Sequence, residues 1–438
     1  MAVSGWFVLL VALGAVPVIG IGEWWVLPAW LGLAVVLGLA DLIAAASPRA
    51  VRVTREAPPR VRLGETAESR IRLVNAGRRT LRAVVRDAWP PSAQARPARQ
   101  RVVVPAGERR SATTWLAPFR RGVRHAADVT IRSWGPLRLA ARQATLRAPA
   151  SLLVLPPFEA RRHLPSRLAR LRELDGSTTI MVRGQGTEFD SLRDYVRGDD
   201  VRSIDWRATA RRGAAASVGE PRLVVRTWRP ERDRRVVIVV DSGRNAAARV
   251  ADETRLDSGF EAALLLGALA SAGGDRVDLL IHDRRVRGRV QGAVGAELLG
   301  RMVDAMAPVE PELIEPDWTA LPGLVRSVTA QRALVVLVTT AESPAAARAL
   351  LGVLPELTRR HLVLIASVDD PAVAEAAGRR GRLSDVYLAA AAERALADRA
   401  AVAAAVRRLG GDVVSAVPSE LPPALADRYL AYKAAGRL

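Results

Sequence analysis

The densest set of chemically active side chains lies at 186–212. There Asp190, Asp194, Asp199, Asp200 and Asp205 stand among Arg193, Arg197, Arg202, Arg207 and Arg211, with Tyr195 and Trp206 between them. Carboxylates at this density could exchange protons, hold a hard cation or dock a partner. Arginines at the same spacing can instead satisfy them through charge-assisted hydrogen bonds. The pattern fits no EF-hand loop and no histidine converges on it. Two readings stand: a structural charge network, or a docking surface of Asp190, Arg193, Asp194, Tyr195, Asp199, Asp200, Asp205, Trp206 and Arg211.

A further acid, Asp241, closes the apolar run 236–240, and a later apolar run at 334–339 opens onto Thr340, Ala341 and Glu342. In open parallel sheets ligands bind beyond the carboxyl ends of the strands, which points at both turns and, after the run 361–366, at Asp369 and Asp370. The plain role for Asp241 is to accept backbone N–H groups of its own turn.

Catalytic motifs are missing. The histidines, His125, His163, His282 and His361, are scattered without metal-ligand spacing, and no Gly-x-Ser-x-Gly elbow occurs. Lys433 is the single lysine, so no phosphate-binding Gly-x-x-x-x-Gly-Lys loop exists. Run 236–240 lacks the glycine-rich opening of a dinucleotide site. No enzyme is expected. The absence of cysteine removes disulfides and thiolate chemistry.

These residues need elements to hold them. Two apolar runs, 5–22 and 24–46, are each near the roughly 20 residues that a membrane-crossing helix requires. Only Asp41 interrupts the second, and Trp24, Trp25 and Trp30 suit an interfacial belt. Arg49, Arg52, Arg55, Arg60 and Arg62 follow, whereas the turn between the runs holds only Glu23. The positive-inside rule then predicts a two-pass hairpin in a bacterial inner membrane with both termini cytoplasmic. From 51 to 148, alternating runs such as 69–74 and 81–86, broken by turn signals, predict an all-β sandwich with an arginine-rich face suited to anionic lipid. Aromatics do not interleave with the arginines, which argues against nucleic acid despite a net charge of +20. Apolar strands alternating with Ala-Leu-rich helices at 259–272, 344–351 and 390–409 predict a doubly wound α/β domain. The domains read 1–47 hairpin, 48–150 sandwich, 151–232 linker and charged segment, and 233–438 α/β.

The segment from Glu188 to Tyr195, with Gly198-Asp199-Asp200 and the residues from Ile204 to Arg211, resembles the hallmark of the bacterial domain of unknown function 58 family. The resemblance extends back through Phe119-Arg120-Arg121-Gly122 and Trp134-Gly135-Pro136-Leu137, and forward to the residues from Leu425 to Leu430. It implies a membrane anchor, a von Willebrand factor A-like domain, and association with a MoxR-type AAA ATPase and with transglutaminase-like membrane proteins. Cation-binding von Willebrand A domains carry Asp-x-Ser-x-Ser after the first strand. Here Asp241 matches, but Gly243 and Asn245 occupy the hydroxyl positions, Pro316 replaces the loop threonine, and Ala341 replaces the later acid. Asp241, Gly243, Asn245, Thr340 and Glu342 make a degenerate set for Mg²⁺, and no other cofactor is expected. The function implied is a membrane-tethered, non-enzymatic adaptor or assembly factor presenting clients to, or docking with, the ATPase. The alternative is a cation-dependent von Willebrand A-type binding module without an ATPase partner.

Overall fold

The opening apolar runs fold as helices Gly5–Leu13, Ala15–Ile21 and Val26–Ala44 in the computed structural model, which describes residues 2–178, 188–196, 201, 204–215, 223–229 and 234–438. Ser4 caps the first helix by accepting the Phe7 N–H at 3.2 Å. Pro17 has no N–H to give the Leu13 carbonyl, and the helix breaks between them. Val26–Ala50, with mean hydropathy 2.1, is long and apolar enough to cross a membrane; Gly5–Ile21 is apolar but shorter. Of the two spanning helices expected, one has full spanning length among the described residues. The surface of these helices is apolar, with Val16 68%, Ile19 82% and Trp24 83% exposed. Trp30, expected in an interfacial belt, instead donates its indole N–H to the Leu10 carbonyl at 2.9 Å.

Asp41 is buried although it lies in the apolar helix. Its carboxylate accepts the N–H groups of Leu137 at 2.7 Å, Leu139 at 2.8 Å and Ala140 at 2.9 Å. These donors replace water around a charge that burial would otherwise penalise. Gly135 is required by this contact, because a Cβ there would stand 2.1 Å from Asp41 Oδ1.

Two compact units divide the chain: Met1–Pro157 with Val303–Glu310, and Phe158–Met302 with Pro311–Leu438. The first is β-rich. Strands Val51–Glu56, Ala67–Asn75 and Arg109–Leu116 form one sheet. Ala2–Val3, Ala140–Leu155, Gly122–Trp134, Leu81–Asp87 and Gln100–Val104 pair in that order in the other, where Arg60–Arg62 joins Ala140–Leu155. Alternation decides the faces: in Ala67–Asn75 every second residue is buried. Ile71 and Leu73 of one sheet pack in one core with Leu81, Val85, Val129 and Ile131 of the other. Strand Ala140–Leu155 stays paired with Gly122–Trp134 as far as Val154, opposite Gly122. The unit therefore passes the boundary expected at 150 and closes at Pro157. Part of the expected linker is instead helix Leu164–Thr178 in the second unit.

A buried ion pair crosses the sandwich. Arg55 and Asp87 meet at 2.6 Å with side chains 0% and 2% exposed. Asp87 also accepts from Ser69 Oγ at 2.9 Å and Trp89 Nε1 at 3.0 Å, and Arg55 donates to the carbonyls of Asp128, Ala126 and Ala148.

The second unit is the doubly wound sheet expected from its apolar runs. The strand order is Val286–Val290, Arg276–His282, Arg235–Asp241, Leu334–Val338, Leu362–Val368, Asp412–Ala416. All pairings are parallel except that of the edge strand Val286–Val290. The chain leaves Arg235–Asp241 on one side and returns to Leu334–Val338 on the other, so Asp241 sits at the switch point. Val237, Val239, Val335 and Leu337 pack against Leu350, Leu354, Val402 and Val406 on one face. Helix Arg255–Ala272 lies almost wholly buried and packs with Leu421–Ala434 and with the sheet. The single lysine, Lys433, is locked there, donating to the Gly273 carbonyl at 2.8 Å beside Asp275 at 3.6 Å.

Removing one partner of a buried pair strands the other charge, so Asp87→Ala should cost roughly 3–5 kcal/mol. Glu56→Ala, which breaks an exposed pair with Arg72, should cost less than about 1 kcal/mol. Urea unfolding of the full chain in detergent checks this; equal losses would contradict it.

Candidate functional site

The charged segment folds as a hairpin and a helix. Glu188–Asp194 pairs antiparallel with Val224–Arg229, which puts Asp190, Arg193 and Asp194 on one ribbon. Tyr195 N–H continues the pairing to the Leu223 carbonyl at 2.7 Å. Asp205 Oδ1 accepts the N–H groups of Arg207 at 3.0 Å and Ala208 at 2.9 Å, capping helix Trp206–Ala215. Asp205 is thus engaged in a structural bond, while Trp206 is 65% exposed beside it. Arg211 is exposed on the same helix. Asp199 and Asp200 lie outside the described residues.

The strand ends gather more buried chemistry than the sequence suggests. Asp241 accepts the Gly243 N–H on Oδ1 and the Thr339 hydroxyl on Oδ2, both at 2.7 Å. Burial pushes its carboxyl up to about 6, against the pull of those two bonds and with the help of Asp283 and Glu315. Asp283, at the end of the neighbouring strand, is fully buried. It accepts from Ser242 Oγ at 3.1 Å and from the N–H groups of Arg284 at 2.6 Å and Arg285 at 3.1 Å. Its signature was in the sequence, an acid directly after a run ending Leu280-Ile281-His282, as at Asp241.

A loop crosses over this pair. Glu312 N–H reaches the Ser242 carbonyl at 2.9 Å and Arg244 N–H the Ile314 carbonyl at 2.8 Å. Gly243 permits the crossing, since a Cβ there would meet the Ile314 carbonyl oxygen at 2.8 Å and Pro316 at 2.9 Å. Held this way, the loop displays Leu313, 80% exposed, beside an Arg244–Glu315 pair at 3.6 Å.

The residues do not fit a divalent ion. Glu342 is turned to Arg255 and to Arg399, the latter at 3.5 Å, and despite partial burial these guanidiniums hold it below the usual carboxylate range. The cavity that joins Asp241, Thr339 and Thr340 also contains Arg255 and measures about 10 Å³, room for a single water. Asn245 lies in the short turn Arg244–Ala247. No group of three His, Cys, Asp or Glu is placed to hold a metal among the described residues. The acids and hydroxyls at the strand ends are buried and bonded to one another, and the loop above them carries the exposed groups.

An apolar helix, a β-rich unit and a doubly wound α/β unit with acids at its switch point define the class of the protein. A family model described as "Protein of unknown function DUF58" matches residues 191–386. Uncharacterised proteins of Mycobacterium tuberculosis and Mycobacterium bovis are 28% identical over 200 residues, 45% of this chain and 60% of theirs. The match thus spans less than two thirds of those relatives. The family model covers less than half of the chain, and each of these matches is a similarity. Among solved structures, a CARDB domain from Pyrococcus furiosus covers 24% of this chain and 86% of its own at 14% identity and TM-score 0.17. A PapD-like domain of human CEP192 covers 24% and 84% at 15% and 0.16. At these scores the likenesses carry no argument.

Because the Asp241 carboxyl lies higher in the folded chain than in the unfolded one, folding takes up a proton between about pH 4 and 6. The stability this group contributes falls as pH rises through that window and stays low above it. Asp241→Asn removes the buried charge, keeps an acceptor for the Gly243 N–H, and can bond Thr339 only with the hydroxyl turned to accept from the amide. It should stabilise the chain at pH 8 by on the order of 2 kcal/mol and by much less at pH 4. Denaturant midpoints at the two pH values check this, and a loss of stability at pH 8 would contradict it.

Proposed function

We propose that the chain is a membrane-tethered, non-enzymatic docking module. The apolar helices cross the inner membrane as a two-pass hairpin, and the strands of the first unit and the whole α/β unit lie on the cytoplasmic side. The α/β unit is von Willebrand factor A-like in this reading, its ion site replaced by the Asp241–Thr339 bond and the arginine-held Glu342. Its partner is a MoxR-type AAA ATPase, with a transglutaminase-like membrane protein in the same assembly.

The observation that carries the reading is the loop over Gly243. A carboxylate kept buried at electrostatic cost braces a turn whose crossing loop exposes Leu313, a large apolar side chain flanked by an ion pair. Buried titratable groups with shifted protonation cluster at functional sites, and an apolar anchor ringed by charge is how docking surfaces concentrate affinity.

Detergent-solubilised full-length chain should retain an AAA ATPase when ATP and Mg²⁺ are present. Leu313→Asp should lower that retention by about tenfold while leaving the unfolding midpoint within the spread of the parent. Absence of any AAA ATPase under every nucleotide condition would overturn the reading.

A further inference from the structure

We infer that the β-rich unit carries a binding site for the phosphate of an anionic phospholipid, at the foot of the apolar helices. The inference rests on the membrane reading above. An open groove of about 390 Å³ is lined by Trp6, Arg82, Arg101, Val103, Trp134 and Arg138, among others, and no carboxylate lines it. Its size falls in the range of small-ligand sites.

Strand register builds the basic floor. Arg82 stands opposite Val103, and Val84 opposite Arg101, on neighbouring strands. Side chains two apart share a face, so Arg82 and Arg101 lie diagonally across the pair with Val84 and Val103 between them. Two guanidiniums so placed can grip one phosphate while the valines take apolar surface. Arg138 joins from the turn that clamps Asp41, and it does so with φ of 57°, a conformation a side chain rarely adopts. The three arginines are exposed, and among the described residues no hydrogen bond or ion pair engages their guanidiniums.

Position selects the ligand. Ser4 and Trp6, at the start of helix Gly5–Leu13, form one wall of the groove. Beyond them the exposed apolar surface of that helix begins, with Leu9 and Leu13 exposed. A ligand filling both regions needs an anionic head and a hydrocarbon tail. Inorganic phosphate satisfies the arginines alone, and a zwitterionic headgroup places its own cation among them.

Full-length chain, purified in neutral detergent, is titrated with dioctanoyl phosphatidylglycerol, dioctanoyl phosphatidylcholine and inorganic phosphate and read by native mass spectrometry. Phosphatidylglycerol should bind about tenfold more tightly than phosphatidylcholine and resist millimolar phosphate. The triple variant Arg82→Gln, Arg101→Gln, Arg138→Gln should remove that preference. A triple variant with the same charge loss at exposed positions of the other unit, Arg359→Gln, Arg360→Gln, Arg408→Gln, should keep it. Equal binding of the two lipids, displacement by phosphate, or an unchanged first triple would overturn the inference. Membrane fractionation of the same cells tests the underlying reading separately: recovery of the parent chain in the soluble fraction would refute membrane insertion, whatever the lipids do.

Discussion

The carboxylate of Asp41 is the contact through which the apolar helices and the β-rich unit become one body. A lone acid in an otherwise apolar helix is tolerable only where its charge is satisfied, and here three N–H groups of a single turn do so at 2.7 to 2.9 Å. The same turn then has no freedom to move away from the helix. Arg142 reinforces the joint by donating to the Leu42 carbonyl at 2.9 Å, and Arg79 by donating to that of Ile43. An apolar helix joined in this way is fixed to the strands that follow it, which a flexible linker would not be. The basic groove at the foot of the helices owes its shape to the same turn.

In the α/β unit two buried acids close adjacent strands of a sheet whose core is largely aliphatic. Asp241 and Asp283 end adjacent strands, both buried, and each is held by short bonds to hydroxyl and backbone donors. Burial, with the charge of Asp283 nearby, resists ionisation of Asp241. What offsets this is local and rigid, so the loop above them is held in place.

The sheet was legible because parallel strands buried on both faces must be continuously apolar, and 236–240, 334–338 and 362–366 are. The sandwich strands at 69–74 and 81–86 were legible for the opposite reason, alternation. Long-range bonds left no such trace. The donors to Asp41 lie 96 to 99 residues away, so its position near the helix end suggested only an interface. Arg55 looked like one of many basic surface residues, yet it is the fully buried half of an ion pair. At the candidate site Asp241 stood out as an acid after an apolar run, while Arg255 and Arg399 became visible as partners of Glu342 only once the helices were placed. The stretch 151–172 misled because its prolines and arginines read as linker, whereas Leu171 is buried in the second unit.

The central claim, a docking module held on the cytoplasmic side by a membrane hairpin, is open to one direct measurement. The chain has no cysteine, so Glu23→Cys in the turn between the helices and Leu313→Cys on the crossing loop each introduce a single thiol. A membrane-impermeant maleimide added to intact spheroplasts should label the thiol at position 23 and leave that at 313 unlabelled until the cells are lysed. Labelling at 313 in intact spheroplasts, with 23 protected, would contradict the account.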